Sequence, residues 1–585
     1  MDIHQIFGKY FEGDDIAPVA TLLSKRLEEG NICVYASDEG TEAASLPPWS
    51  NLKDSPWVGS PDSTLSPFIL DNERIYLQRY WTYETAILDK IRTLLSSPAP
   101  LPSYDEIAAL PGIEHPSSPT GQTEETDWQR IAILHALKYR LTIITGGPGT
   151  GKTTTVARLL GMLYQSFPTL SAIVAAPTGK AAARMNESLK NASVRLELPD
   201  DTRQKLLHLE ASTIHRLLGY HPATRQFRYN AQRRLPYTLF VIDEASMLDA
   251  HLFAQFMIAL PDDARLVLVG DRNQLSAVGA GSIFGDLCRS AGTNASFPEE
   301  EREYYRHFMP HAFLAGPPPG QEPVTLLSGH VIELQHSHRF DPSKGIGLFS
   351  RHVLHGEADP GKVIQPFLGQ DTALTILPDT THRAFEELLR LYEAYAREED
   401  TWTALKKRAA IRTLCTTHDG PRGTKALNLE IEAYLRKRNL LGTSQPFYHN
   451  QPILITVNDY HLGLYNGDEG LIRRHPDTGE LMAWFEGEEE PLRSFAPSML
   501  QGYVTAFAMS IHKSQGSEFD TVIVVLPDRA DHRILTRELL YTAVTRAKNK
   551  ALLIGSEAIL LEAIINKIER MSGVIPRLTH SPSQL

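Results

Sequence analysis

The chain has 585 residues, too many for one hydrophobic core, and its length suggests three or four domains of roughly 100–200 residues each. Hydrophobic residues make up 42% and charged residues 22%, the profile of a soluble globular protein, and no apolar run reaches the ~18 residues that a membrane span needs. Three scattered cysteines, Cys33, Cys288 and Cys415, exclude a disulfide framework or a cysteine-held cluster, and the net charge of −12 excludes an overall basic coat while allowing a local basic channel. The opening "MDIHQIFGKYFEGDD" lacks the basic-then-apolar layout of a signal peptide, so a cytoplasmic location without membrane attachment is expected.

Residues 1–110 mix helical patterns with breaks such as "SLPPWS" and "SSPAPLPS" and carry no chemical motif, which predicts a mainly helical N-terminal domain. Within it, Leu70–Leu95 places Ile75, Tyr76, Tyr80, Tyr83, Ile87, Ile91 and Leu94 at spacings that suit one side of a helix, where such aromatics are more often core than binding surface. After the linker "GIEHPSSPTGQTEETD", short apolar strands alternate with helices: "LTII" (141–144), "AIVAA" (172–176), "LFVI" (239–242), "LVLV" (266–269), "VIVVL" (522–526) and "ALLI" (551–554). That alternation predicts α/β architecture with parallel sheets in two domains, 111–340 and 341–585. Residues 291–330, acidic in the middle and stopped by "GPPPG", read as a surface insertion. From about 430 to 500 the turns "NGD" and "DTGE" predict a small β-barrel or meander inserted into the second domain. Residues 219–236, with Arg225, Arg228, Arg233 and Arg234 among Tyr220, Phe227 and Tyr229, read as a short hairpin or a basic solvated loop.

The strand "LTII" runs into "GGPGTGKT", which opens a helix. Gly146, Gly147, Pro148, Gly149, Thr150 and Gly151 let backbone N–H groups turn around phosphates, Lys152 places a positive charge on the β and γ phosphates, and the Thr153 hydroxyl suits Mg²⁺. "LFVIDEAS" then ends another strand with Asp243 to hold Mg²⁺ and Glu244 to orient or deprotonate the attacking water. Gln274, in "LVGDRNQLSAVGAG" at the end of a further strand, is placed as a γ-phosphate sensor. These motifs predict a nucleotide hydrolase that uses Mg²⁺; ATP as its nucleotide is what a family resemblance implies.

In order, "GGPGTGKTTT", "AAPTGKAAARM", "STIHRLLG", "VIDEASM", "GDRNQLSAVGAG", "LQHSHRF", "SIHKSQGSEF" and "LLYTAVTRAK" resemble the motifs of superfamily 1 helicases of the RecD-like branch, over residues 125–555. "RIYLQRYWTYE" resembles the N-terminal segment of the RecD subunits of exodeoxyribonuclease V, the RecBCD enzyme. The resemblance implies two RecA-like P-loop domains, an SH3-like β insert in the second, and an N-terminal domain that docks partner subunits. It gives Gln129 to adenine, Thr154 to the phosphate loop, Gly516 and Glu518 to nucleotide ribose and phosphate, and Arg339 and Arg546 to the γ-phosphate as arginine fingers. Single-stranded DNA falls to Thr178 and Gly179, to Thr213 and His215, and to Ser510, His512 and Lys513. Ser510 stands where many relatives have threonine, which keeps the hydroxyl.

The implied activity is a 5′-to-3′ DNA translocase and helicase in double-strand break repair and recombination. It would act on single-stranded and on tailed or blunt double-stranded DNA, in a heterotrimer with RecB-like and RecC-like subunits, the nuclease centre lying in a partner. A solitary RecD-like helicase, an ATP-switched regulatory DNA-binding subunit that does not translocate, and an RNA helicase are the alternatives, since nothing in the sequence reads a sugar 2′-OH.

Overall fold

A computed structural model describes residues 2–579 apart from 37–45, 111–125, 293, 295–296, 311, 314–324, 370–372, 378–388, 444–445, 460, 488–490 and 530–534. Most of the predicted 112–127 linker and the "GPPPG" stop lie outside the described residues. The chain forms two compact units: Met1–Arg272 with Ser276–His336 and Glu569–Leu585, and Asn273–Leu275 with Ser337–Ile568.

In the first unit helix Ile16–Glu28, preceded by the short helix Ile3–Lys9, has buried Ile16, Val19, Ala20 and Leu23 that form an apolar stripe at helical spacing. It ends at Gly30, where φ of +92° and the Asn31 N–H bonded to the Arg26 carbonyl (2.9 Å) close a Schellman-type turn. The stripe packs on Val34, Phe68 and Ile75 of a four-stranded sheet ordered Cys33–Tyr35, Arg74–Leu77, Phe68–Asp71, Val58–Gly59. This sheet corrects the continuous helix expected over Leu70–Leu95. Asp71 pairs with Arg74 across a two-residue turn in which Asn72 takes φ +52°, so Ile75 and Tyr76 lie in a hairpin and the helix runs Gln78–Ser96. Asparagine tolerates that conformation, which makes a turn of what the apolar spacing read as helix. Ile87, Leu88, Ile91 and Leu94 of this helix share a core with Phe253, Phe256 and Met257 of helix Ala250–Ala259, so the N-terminal segment is built into the phosphate-loop domain.

That domain holds a six-stranded parallel sheet ordered Val331–Leu334, Leu141–Gly146, Arg265–Gly270, Leu239–Ile242, Ala172–Ala176, Ala211–Thr213. Alternate residues face opposite cores: Ile143, Phe240, Ile242 and Leu268 one way, Ile144, Val241, Val267 and Val269 the other. Both faces are therefore dry, which explains strands apolar without interruption. Part of the expected surface insertion is core instead. Helix Glu299–Phe308 buries Tyr304, Tyr305 and Phe308 against Ile133 and Leu134, and the Tyr305 hydroxyl lies 2.7 Å from His135 Nδ1. Its Glu299, Glu300 and Glu301 occupy the first turn, where the helix dipole favours carboxylates, so acidic composition concealed a buried aromatic face.

The second unit has a five-stranded parallel sheet ordered Leu374–Leu377, Ala547–Ile554, Phe519–Val525, Ile411–Cys415, Ala508–Ser510. The antiparallel insert has five strands between Gln451 and Thr505, around Ile453, Ile455, Ile472 and Phe485. Residues 424–437, inside the range expected for the insert, form a helix whose Leu427, Ile431 and Leu435 belong to the core of the parallel sheet. The fully buried Arg412 guanidinium ties sheet to insert, donating to the Glu469 carboxylate and to the Ala506 carbonyl.

Residues 569–585 group with the first unit, where the sequence reading carried the second domain to 585. Met571 exchanges hydrogen bonds with the Asn31–Ile32 segment, and Arg570 Nη1 donates to the carbonyls of Ala277 (2.8 Å), Gly279 (3.0 Å) and Gly281 (3.1 Å). Arg577 pairs at 3.0 Å with Glu84, which is fully buried. The segment is a strap across the first unit.

Candidate nucleotide and nucleic-acid site

The first unit brings together Gln129, residues 146–154, Asp243 and Glu244. Gly149 and Gly151 take φ +77° and +83°, left-handed conformations that side chains disfavour, and Gly151 is the N-cap of helix Lys152–Ser166. The turn is fixed by Thr150 Oγ1 donating to the Gly147 carbonyl at 2.8 Å. Lys152 Nζ donates to the Gly146 and Gly147 carbonyls at 2.7 and 3.1 Å, folded over the loop on which it would meet a phosphate. Thr153 and Thr154 follow in the first helical turn, half-buried and exposed respectively. Gln129 Nε2 donates to the Thr150 carbonyl at 3.0 Å, and a Cβ on Gly151 would come within 2.4 Å of that amide nitrogen. The glutamine expected to read adenine therefore rests against the phosphate loop.

Asp243 ends strand Leu239–Ile242, separated in the sheet from the phosphate-loop strand by Arg265–Gly270 alone. Burial, then the Glu244 charge, push its carboxyl up to about 6, against the pull of the Glu244 N–H, Lys152 and Arg184. Its Oδ1 accepts that N–H at 2.9 Å. Glu244 takes φ +51°, a strained conformation for a side chain with Cβ. Among the described residues no cluster of three His, Cys, Asp or Glu side chains could hold a metal by itself. Thr153 and Asp243 fit a hard cation whose remaining oxygens come from nucleotide phosphates and water.

The second unit brings together Arg339, Arg546, Gly516 and Glu518. Arg339 Nη2 donates to Glu518 Oε2 at 2.8 Å. Arg546, 3% exposed, donates Nε to the Thr542 carbonyl and Nη1 to the Ser517 carbonyl, both at 3.3 Å. Gly516 turns the loop at φ +71°. The short stretch containing Gln274 belongs to this unit, with the Leu275 N–H donating to Thr542 Oγ1 at 2.8 Å and the Leu275 carbonyl accepting from Gln515 Nε2 at 2.7 Å. Gln274 itself is 7% exposed. Sequence reasoning had placed it with the first domain.

Among the residues assigned to DNA, Thr178 and Thr213 are N-caps, their Oγ1 atoms accepting from the Ala181 and Arg216 N–H groups at 3.2 Å. Capping uses an oxygen lone pair and leaves the hydroxyl proton for a phosphate. Gly179 opens the helix that Thr178 caps, and His215 is exposed. Ser510 Oγ accepts from the Lys513 N–H at 3.4 Å, with Lys513 exposed and His512 half-buried. Sequence reasoning missed the Arg570 strap on residues 277–281, because no local pattern announces a contact nearly 300 residues away.

This sheet order, phosphate loop and strand-end carboxylate pair define a P-loop nucleoside-triphosphate-binding protein. The AAA domain family matches residues 129–280, and the UvrD-like helicase C-terminal domain family matches residues 505–554. The "RecBCD enzyme subunit RecD" of Mycobacterium tuberculosis is 35% identical over 97% of this chain and 92% of its own, and that of Haemophilus influenzae 33% over 88% and 81%. The "ATP-dependent RecD2 DNA helicase" of Deinococcus radiodurans is 29% identical over 83% of this chain and 55% of its own. The chain belongs to the RecD family.

Proposed function

We propose that the protein is an ATP-dependent DNA helicase translocating 5′ to 3′ on single-stranded DNA, as the RecD-type subunit of a RecBCD-like nuclease–helicase in the cytoplasm. The observation that carries the reading is the first unit's cluster: Lys152 and the left-handed Gly149 and Gly151 on one strand end, Asp243 and Glu244 on another, and Gln129 against the loop. Its partners are RecB-like and RecC-like subunits, in keeping with the names of the relatives.

In this reading the loop N–H groups and Lys152 hold the ATP phosphates, Gln129 turns its amide to adenine, and Glu244 takes a proton from the attacking water. Bound Mg²⁺, held by Thr153 and Asp243, would offset phosphate charge. Arg339 and Arg546 stabilise charge on the γ-phosphate, Gln274 senses whether it is present, and Gly516 and Glu518 face ribose and phosphate. Thr178, Gly179, Thr213 and His215 grip the strand on one unit, and Ser510, His512 and Lys513 on the other. Alternating the two grips with the nucleotide state moves the chain along DNA.

The test is strand separation by the purified chain on duplexes with a 5′ or a 3′ single-stranded tail. Unwinding from the 5′ tail alone, lost in Lys152→Gln, is expected; unwinding from the 3′ tail overturns the polarity. DNA-stimulated hydrolysis without unwinding, unchanged when RecB-like and RecC-like subunits are added, would favour the ATP-switched regulatory subunit.

A further inference from the structure

We propose that the first unit carries a base-stacking station for single-stranded DNA built from Tyr80, Tyr83 and His251, outside the helicase motifs, to which the strand passes from His215 over Phe227. The inference rests on the DNA-translocase reading and adds to it a stretch of the strand's path.

Five rings follow one another without a gap. From His215 the centroids step 6.1 Å to Phe227, 6.2 Å to His251, 5.1 Å to Tyr83 and 5.9 Å to Tyr80. They come from four separate segments, and none is a buried core ring: His215 and His251 are exposed, and Tyr80, Tyr83 and Phe227 are half-buried. The helix Gln78–Ser96 sends Ile87, Leu88, Ile91 and Leu94 into the core, while Tyr80 and Tyr83 at its start pack against that core with part of each ring still exposed. A contiguous run of part-exposed rings marks an interaction surface in a way that scattered single ones do not.

The last three rings wall a cavity of ≈310 Å³, at the lower end of the roughly 300–1,000 Å³ of small-molecule sites. Gly279 and Ala280 also line it, on a loop whose carbonyls at residues 277, 279 and 281 accept from the Arg570 guanidinium. Beside it Val278 is 79% exposed, a further apolar surface for a flat ring.

The charges favour nucleobases. The Arg79 guanidinium lies 5.0 Å from the Tyr80 ring centroid, a geometry that keeps a cation beside a stacking face and suits a backbone phosphate at the rim. Asp249 lines the same cavity, and its Oδ1 accepts the Leu252 N–H at 2.8 Å. That carboxylate disfavours a phosphate beside it and offers an acceptor to a base amino group. A cavity lined by aromatic rings, one carboxylate and one guanidinium offers a base stacking faces and an acceptor, and a neighbouring phosphate a cation.

The experiment titrates the purified full chain with fluorescein-labelled oligo(dT), intact or with single abasic positions, across a salt series. The variants are Tyr83→Ala, Tyr80→Ala with Tyr83→Ala, and Tyr83→Phe. Loss of one stacked base is expected to weaken binding by about 5- to 100-fold at every salt concentration without changing the salt slope, because no phosphate contact is removed. Tyr83→Phe retains binding, and basal ATP hydrolysis stays unchanged in all three variants. An abasic position that weakens binding to the parent has no effect on the double variant. If the parent binds oligo(dT) and the double variant matches it in affinity and abasic sensitivity, the station is refuted while the translocase reading stands. If the parent binds no oligonucleotide, both fall. If DNA binding is unchanged but a RecB-like or RecC-like subunit no longer co-purifies, the rings serve a protein interface and the inference is overturned.

Discussion

Removing the Arg577 guanidinium tests what the strap contributes to the first unit. Glu84 is fully buried, 3.0 Å from Arg577 Nη1, and its other oxygen accepts the Gly573 N–H at 2.8 Å. Arg577 also lies 3.9 Å from the Trp81 ring centroid and donates to Thr85 Oγ1 at 2.9 Å. Burial raises the Glu84 carboxyl above its usual range even with Arg577 pulling it down, so without the arginine it rises further. Breaking a buried pair by deleting one partner costs about 3–5 kcal/mol. At about 2.1 cal/mol/K of unfolding entropy per residue, a unit of roughly 350 residues loses about 4–7 °C of melting temperature. In Arg577→Met the folded pKa of Glu84 exceeds its unfolded value, so the deficit is small below the unfolded pKa and grows as pH rises through the folded one. Scanning calorimetry at pH 5 and pH 8 should show the larger loss at pH 8, and Glu84→Gln in the same chain should restore part of it. A variant melting within about 1 °C of the parent at pH 8 would refute the reasoning.

Gln129→Ala should lower the ATP-over-GTP ratio of kcat/KM by roughly 5- to 100-fold if its amide reads adenine; competition kinetics measure this, and an unchanged ratio removes Gln129 from base recognition. Arg339→Lys should slow hydrolysis by about 10³-fold while nucleotide binding stays near the parent's, as single-turnover and binding assays separate. His330 is pushed down to about 4 by burial and Lys138, and His135, whose Nε2 lies 3.1 Å from His330 Nδ1, is also lowered. Folded, both bind protons less tightly than the unfolded chain. Stability they allow above about pH 6.5 is therefore lost as pH falls toward about 4, at up to about 1.4 kcal/mol per pH unit per histidine. Melting temperatures that stay level between pH 7 and 5 would contradict this.

Much of the architecture was legible in local pattern. Strands such as Ala172–Ala176 and Leu239–Ile242 fall where uninterrupted apolar runs put them, because a strand dry on both faces has no polar position to blur the signal. Leu70–Leu77 was misread because four-residue strands on either side of Asn72 carry too few residues to separate a period of two from 3.6. Helix Glu299–Phe308 was misread because its glutamates are local while its aromatic face is explained only by His135 and its neighbours. The left-handed turn at Gly149 and Gly151 was legible, since glycine spacing encodes that backbone conformation. The parking of Arg339 on Glu518 and the membership of Gln274 in the second unit follow from pairings far apart in sequence, which spacing cannot record.

The strap also sets an order of manufacture. Arg577 is 493 residues downstream of the Glu84 carboxylate it neutralises, an interval of about 25–100 s at ordinary rates of synthesis. Until residues 570–577 are made, Glu84 lacks its partner guanidinium and the loop at residues 277–281, once formed, lacks the one that binds its carbonyls. The motor's first half is finished only after its second half has left the ribosome. A chain ending between residues 337 and 569 would carry the phosphate loop but lack the strap that closes the first unit.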